Sequence, residues 1–76
     1  MKAILTFQAD GSAQENEFDL NELNLTGSEP DEEIKNIVIA AFSEKTGIRL
    51  NSGAYLVKRD SSVIQIVPSF EFGAKN

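Results

Sequence analysis

One stretch, residues 28–47, most constrains the fold because it has the pattern of an amphipathic helix with both ends marked. Ser28 and Asp31 match a capping box at its start. Gly47 matches the left-handed residue that ends a helix, and we expect Ile48 to fold back onto the last turn. The predicted apolar face comprises Ile34, Ile37, Val38, Ala41 and Phe42, and the predicted water-facing side comprises Lys35, Asn36, Ser43 and Glu44. Ordering such a helix costs more than its own apolar face returns, so the helix requires a sheet to pack on.

The flanking sequence predicts four strands, two on each side of the helix. Residues 2–8 alternate so that Ala3, Leu5 and Phe7 share the core side. Residues 54–59 form the third predicted strand. The fourth spans 63–72, with Ile64, Ile66, Phe70 and Phe72 toward the core and a bulge or a free edge at Pro68. We expect residues 73–76 to be a frayed tail of a single domain that covers residues 1–76.

The connection between the first two strands is predicted from matching apolar side chains. Asp10-Gly11 is a turn signal. A tight two-residue turn would place Phe7 opposite a polar residue, whereas a longer loop would place it opposite Phe18. We therefore expect a loose loop over 10–14 and a second strand over 15–20.

The alternation breaks after the second strand. Leu23 and Leu25 are in step with each other but out of step with Phe18 and Leu20. Either a bulge at Asn21-Glu22 shifts the strand, or the two later leucines plug the edge of the core from a connecting loop.

The predicted order is β-β-α-β-β, an α+β fold in which a four-stranded antiparallel or mixed sheet carries one amphipathic helix on one face. The run from Glu44 to Ile48, which leaves the helix, resembles the usual helix exit of the β-grasp fold of the ubiquitin type. That resemblance implies that the first and last strands lie side by side in the centre of the sheet. The chain ends in Gly73-Ala74-Lys75-Asn76 and has no Gly-Gly tail for conjugation.

The charge of the chain is unevenly distributed. Net charge is −5, and residues 1–33 hold nine acids and one base, whereas residues 34–76 hold three acids and six bases. Between Asp10 and Glu33 there is no base at all. Direct binding to nucleic acid needs clustered Lys and Arg, so we do not expect it. The acidic stretch suits a basic partner, or it is a solvated surface.

The residue types that carry most catalysis are missing, since the chain has no histidine and no cysteine. Carboxylate pairs such as Glu15 and Glu17 lie on a polar hairpin, where their pKa values are not expected to separate. We therefore predict that the protein is not an enzyme and name no catalytic residue, metal site or cofactor. Ca²⁺ ligation by the hairpin acids is a weaker alternative, because the EF-hand pattern is absent. The longest apolar run, Ile37 to Phe42, is too short to span a bilayer, so we expect no membrane partner and a cytoplasmic location.

Two surfaces are candidate binding sites. The open sheet face is predicted to carry Ile4, Tyr55, Val63 and Val67. The register of the third strand leaves two alternatives on this face, either Tyr55 with Val57 or Leu56. The acidic stretch offers Glu15, Glu17, Asp19 and Glu22.

Two functions follow from these surfaces. The first is a small acidic module that binds another protein, or a second copy of itself, through the sheet face or a strand edge. The second is an inhibitor whose acidic stretch blocks the nucleic-acid-binding surface of a basic protein. In size, acidity and lack of cysteine the chain is similar to small phage-encoded inhibitors, including DNA mimics and anti-CRISPR proteins.

Overall fold

The computed structural model describes residues 1–9, 11–60 and 62–69, and these form one small α+β unit. The order of elements along the chain is β1 (Lys2–Ala9), β2 (Ser12–Asp19), α1 (Asp31–Thr46), a short 3₁₀ turn (Ser52–Ala54), β3 (Tyr55–Arg59) and β4 (Val63–Pro68). The predicted extension of the fourth strand to Phe72, with Phe70 and Phe72 in the core, and the predicted frayed tail lie outside the described residues.

The four strands form one open mixed sheet in the order β2-β1-β4-β3. β1 pairs antiparallel with β2 and parallel with β4, and β3 pairs antiparallel with β4. The predicted fold class is confirmed, with the mixed sheet in place of the purely antiparallel alternative. The first and last strands are the central pair, as the β-grasp-type arrangement requires.

The helix is confirmed, but it begins later than its predicted start. Its first residue is Asp31, and Pro30 stands at the N-cap with φ −59° and ψ 150°. The predicted capping box is wrong, because the hydroxyl of Ser28 lies before the helix and pairs with the hydroxyl of Thr26 at 3.1 Å. At the other end Gly47 has φ 79° and closes the helix as predicted. Ile48, which was predicted to fold back onto the last turn, is 42% exposed.

The buried face of α1 is wider than the predicted one. Ile34, Val38 and Phe42 are fully buried, and Ile39 is buried too although it was outside the predicted face. Lys35 was predicted to face water, but it is only 7% exposed. Its aliphatic stem is buried while its ammonium group donates a hydrogen bond to the Tyr55 carbonyl at the edge of the sheet.

The hairpin between β1 and β2 is tight, so the predicted loose loop and shifted register are wrong. Ala9 pairs with Ser12 across a two-residue turn, and Phe7 lies opposite Gln14. Gly11 has φ 79°, a backbone conformation that a tight hairpin turn needs and that glycine adopts without strain. Phe7 does not need an apolar partner on β2, because Phe42 of the helix covers it edge-on at 4.9 Å between ring centroids.

The segment after β2 follows the second of the two predicted alternatives. The chain leaves the strand at Asp19 and turns over residues 20–24, with Leu25 N donating to Leu20 O at 2.8 Å. Leu25 is 4% exposed and Leu23 packs partly buried against the core. The leucines therefore plug the core edge from a loop, and no bulge is needed.

Pro68 lies where a strand has a free edge, which was one of the two predicted outcomes. The parallel pairing of β1 with β4 runs only as far as Leu5 and Ile66, whereas β3 continues to pair with β4 up to Pro68. The missing N–H of Pro68 therefore costs no ladder hydrogen bond.

The core lies between the helix and one face of the sheet. Buried apolar residues are Ala3, Leu5, Phe7, Phe18, Leu20, Leu25, Ile34, Val38, Ile39, Phe42, Ile64 and Ile66. No helix in the described part of the chain is long and apolar enough to cross a membrane.

Candidate functional site

The candidate site is the sheet face that points away from α1, which we call the outer face. Strand registers place the side chains that alternate with the core residues on this face. In residues 1–9, 11–60 and 62–69 no helix packs against it. Its members include Lys2, Ile4 and Thr6 on β1, Glu15, Glu17 and Asp19 on β2, Leu56 and Lys58 on β3, and Val63, Gln65 and Val67 on β4.

The apolar part of the outer face runs from the two central strands to β3. Ile4, Val63 and Val67 are half-buried there, as the sequence predicted. The register of β3 places Leu56 opposite Val67, and Leu56 is 36% exposed. These four side chains form a partly exposed apolar strip.

Tyr55 does not belong to the outer face, which corrects the predicted site. It pairs with the buried Pro68 and packs half-buried against the core on the helix side. Burial raises the pKa of its phenol. The ammonium group of Lys35 donates to the Tyr55 carbonyl at 3.1 Å. Leu56 therefore takes the place on the outer face that the sequence reading assigned to Tyr55.

The predicted acidic residues line the edge of the same face. Glu15, Glu17 and Asp19 are exposed and point outward from β2. One residue of extended chain lies between each acidic residue and the next, so their Cα atoms are about 7 Å apart. Glu17 lies opposite Ile4, and its carboxylate is 3.4 Å from the ammonium group of Lys2.

Glu22 lies beyond the end of β2, exposed in the turn. It borders a shallow depression of about 630 Å³ that Glu17, Asp19 and Val63 also line. The structure therefore brings the acidic set and the central apolar residues, which the sequence treated as two separate candidate sites, onto one continuous surface. Lys58 at the opposite edge gives this surface a charge gradient from β2 to β3.

Arg59 has a structural role that the sequence did not reveal. Its guanidinium group donates to the carbonyls of Gly27 at 2.7 Å and Glu29 at 2.9 Å, and it pairs with Asp31 at 2.8 Å. It joins the end of β3 to the loop before the helix. The contact could be found only from the tertiary structure, because 28 residues separate Arg59 from Asp31.

The groups that this surface presents are apolar side chains and carboxylates, which can bind a partner. Among the described residues, no three acidic side chains converge where they could hold a metal ion. The carboxylates on β2 stand in a row along the strand and do not enclose a cavity. The arrangement presents apolar area flanked by negative charge, which fits recognition of a positively charged surface.

Comparison of the chain with known proteins identified no relative. No family model matches the chain, and no curated protein or solved structure shows significant similarity to it.

Proposed function

We propose that this protein is a small non-enzymatic interaction module that binds a basic partner protein through the outer face of its sheet. The observation that carries the proposal is the combination of an apolar strip and an acidic strand on one face that no helix covers in the described residues. The compartment that we propose is the cytoplasm, which is consistent with a chain that has no cysteine.

The two parts of the face have different tasks in this proposal. Ile4, Val63, Val67 and Leu56 supply the area that loses water on binding, which is the main source of affinity. The acidic strand orients a basic partner and speeds its approach. The same carboxylates repel phosphate groups, so we do not propose direct nucleic-acid binding.

A substitution at the centre of the face tests the proposal against a matched control on the helix. Val67→Lys places a charge in the apolar strip, and Asn36→Lys places the same charge on the exposed side of α1. Partners are first captured from a lysate, and their dissociation constants are then measured with each purified variant. We expect Val67→Lys to weaken binding by tenfold or more and Asn36→Lys to leave it unchanged. Equal affinity for both variants would place the binding site elsewhere.

The same variant tests a homodimer through the outer face. If two copies pair there, Val67→Lys gives a folded monomer by analytical ultracentrifugation while Asn36→Lys stays dimeric. A Val67→Lys variant that remains dimeric would locate the dimer interface on another surface.

A phage-type inhibitor that occupies a nucleic-acid-binding surface is the second candidate. The observation that favours it is the regular row of Glu15, Glu17 and Asp19 along one strand, with Glu22 beyond its end. Such a protein should compete with nucleic acid for its partner and lose affinity steeply as salt rises. The variant Glu15→Gln, Glu17→Gln, Asp19→Asn and Glu22→Gln should abolish this competition. Competition that survives in the variant would exclude the inhibitor function.

A further inference from the structure

β2 is an edge strand whose outward backbone groups have no partner in the described chain. Leu20 N donates to Met1 O at 3.3 Å, so this pair is a hydrogen-bonded one. Hydrogen-bonded and non-hydrogen-bonded pairs alternate along an antiparallel ladder. The register therefore directs the N–H and C=O groups of Ala13, Glu15 and Glu17 away from β1, toward the open edge.

The opposite edge of the sheet is shorter and partly occupied. By the same alternation, the hydrogen bond from Asp60 N to Val63 O directs the backbone of Tyr55 and Val57 outward from β3. Lys35 already donates to the Tyr55 carbonyl, so one of these positions is filled from within the molecule. An added strand therefore finds more free backbone on β2, which has eight residues against five on β3.

The side chains along the β2 edge determine which strand fits. Cβ atoms of directly opposed residues in neighbouring strands lie roughly 5 Å apart, so an added strand would place its side chains next to Glu15 and Glu17. A second copy of β2 could place glutamate against glutamate, which is destabilising. Lysine or arginine at those positions would instead pair with both carboxylates.

We propose that the free edge of β2 binds an extended basic segment of a partner protein as an added antiparallel strand, with Lys or Arg at alternate positions opposite Glu15 and Glu17. The backbone would supply hydrogen bonds, and the alternate charges would set the register of the added strand. This inference rests on the proposed function and narrows its partner to a protein with such a segment.

A short synthetic peptide in which Lys and Val alternate is the probe. In the proposed antiparallel pairing the Lys residues oppose the two glutamates, so their N–H groups donate to β2 carbonyls, whereas the Val N–H groups face solvent. We therefore compare two forms of the peptide, N-methylated at all Lys residues or at the same number of Val residues. N-methylation at Lys should weaken binding about tenfold or more in calorimetry, and N-methylation at Val should leave it unchanged.

Amide hydrogen exchange locates the bound peptide on the protein. The unmodified peptide should slow exchange at Ala13, Glu15 and Glu17, the amides that the register directs to the open edge. Equal affinity for the two N-methylated peptides, or no slowing at these amides, would overturn strand addition.

Charge variants complete the test with a matched control. Glu15→Gln/Glu17→Gln should weaken the peptide about tenfold, whereas Glu33→Gln/Glu44→Gln, which removes two exposed helix acids, should not. Equal weakening by both double variants would overturn the proposal that Glu15 and Glu17 set the register of the added strand.

The outer-face variant Val67→Lys separates the inference from the proposed function. If Val67→Lys weakens the captured partner while the N-methylated peptides bind alike, the outer face stands and strand addition falls. If the peptides differ but Val67→Lys has no effect on the partner, the β2 edge stands and the proposed role of the outer face falls.

Discussion

The two edges of the sheet use charged residues in opposite ways. At β3, Lys35 and Arg59 are engaged inside the molecule, where they bind the Tyr55 carbonyl and the loop before the helix. At β2, Glu15, Glu17 and Asp19 point to solvent. The positive charges of Lys35 and Arg59 thus lie in contacts on the other side of the sheet, and the net charge of −5 understates how acidic the β2 side is to a partner. The location of a charged side chain, and not the net charge of the chain, therefore decides which partner that side chain can recognise.

Removal of the Arg59 side chain, on the β3 side, should cause the largest loss of stability. Arg59→Ala leaves Asp31 and two carbonyls without their donor, and we expect a loss of about 2 kcal/mol in the free energy of unfolding. For a domain of this size that corresponds to a fall in Tm of roughly 10 °C. Urea denaturation measures the change, with the exposed Arg49→Ala as control. Equal stability of the two variants would show that the Arg59 contacts do not stabilise the β3 side of the molecule.

Loss of the hydrogen bond that Lys35 donates to the Tyr55 carbonyl should have an intermediate effect on stability. Lys35→Met keeps the apolar stem but removes the donor to the Tyr55 carbonyl, so we expect a loss of about 1 kcal/mol. Glu32→Gln is the control, because it weakens only the exposed ion pair at 3.4 Å and leaves that hydrogen bond in place. A larger loss from Glu32→Gln would assign the stabilisation to the ion pair.

The carboxylate of Glu29, in the loop before α1, should make the stability of the protein sensitive to acid. Hydrogen bonds from backbone N–H groups, above all that of Thr26 and also that of Gly27, hold the pKa of Glu29 below its ordinary value of 4.5. A lowered folded-state pKa adds stability that is fully present above pH 4.5 and is lost as pH falls through the folded-state pKa. The Tm difference between wild type and Glu29→Gln should therefore be constant near neutral pH and shrink below pH 4.5. A difference that does not change with pH would contradict this role.

The ion pair on the open side should have the smallest effect. Lys2 and Glu17 are joined at 3.4 Å, but their side chains are 48% and 64% exposed. Solvent screens such a pair, so Lys2→Met should change the free energy of unfolding by less than about 0.5 kcal/mol. Chemical denaturation gives the value. A loss of stability comparable to that of Arg59→Ala would show that the Lys2–Glu17 ion pair stabilises the fold as much as the Arg59 contacts do.

Sequence reasoning succeeded where a pattern depended on neighbouring residues alone. The apolar spacing of α1, the left-handed Gly47 and the alternation of Ala3, Leu5 and Phe7 were all predicted. The register of β2 was predicted wrongly, because the argument matched Phe7 to an apolar residue on the neighbouring strand. Phe7 is covered instead by Phe42 of the helix, and the Asp10-Gly11 turn signal was the better guide.

The candidate site was only partly predictable for a related reason. Ile4, Val63 and Val67 could be assigned to one face from alternation, but Tyr55 could not, because a shift of one residue moves every side chain of a strand to the other face. The free backbone of β2 had no sequence signal at all. Which N–H groups point outward follows from the pairing with β1, which alternation along one strand does not contain.

Local sequence patterns were enough to predict a helix between two pairs of strands and to locate the concentration of acid in residues 1–33. These properties depend on residues close together in the chain. The folded arrangement alone shows that β2 lies at an open edge, shares a face with the apolar strip and lies across the sheet from the Arg59 contact. Those facts depend on strand order and register, which are set by packing between residues far apart in sequence.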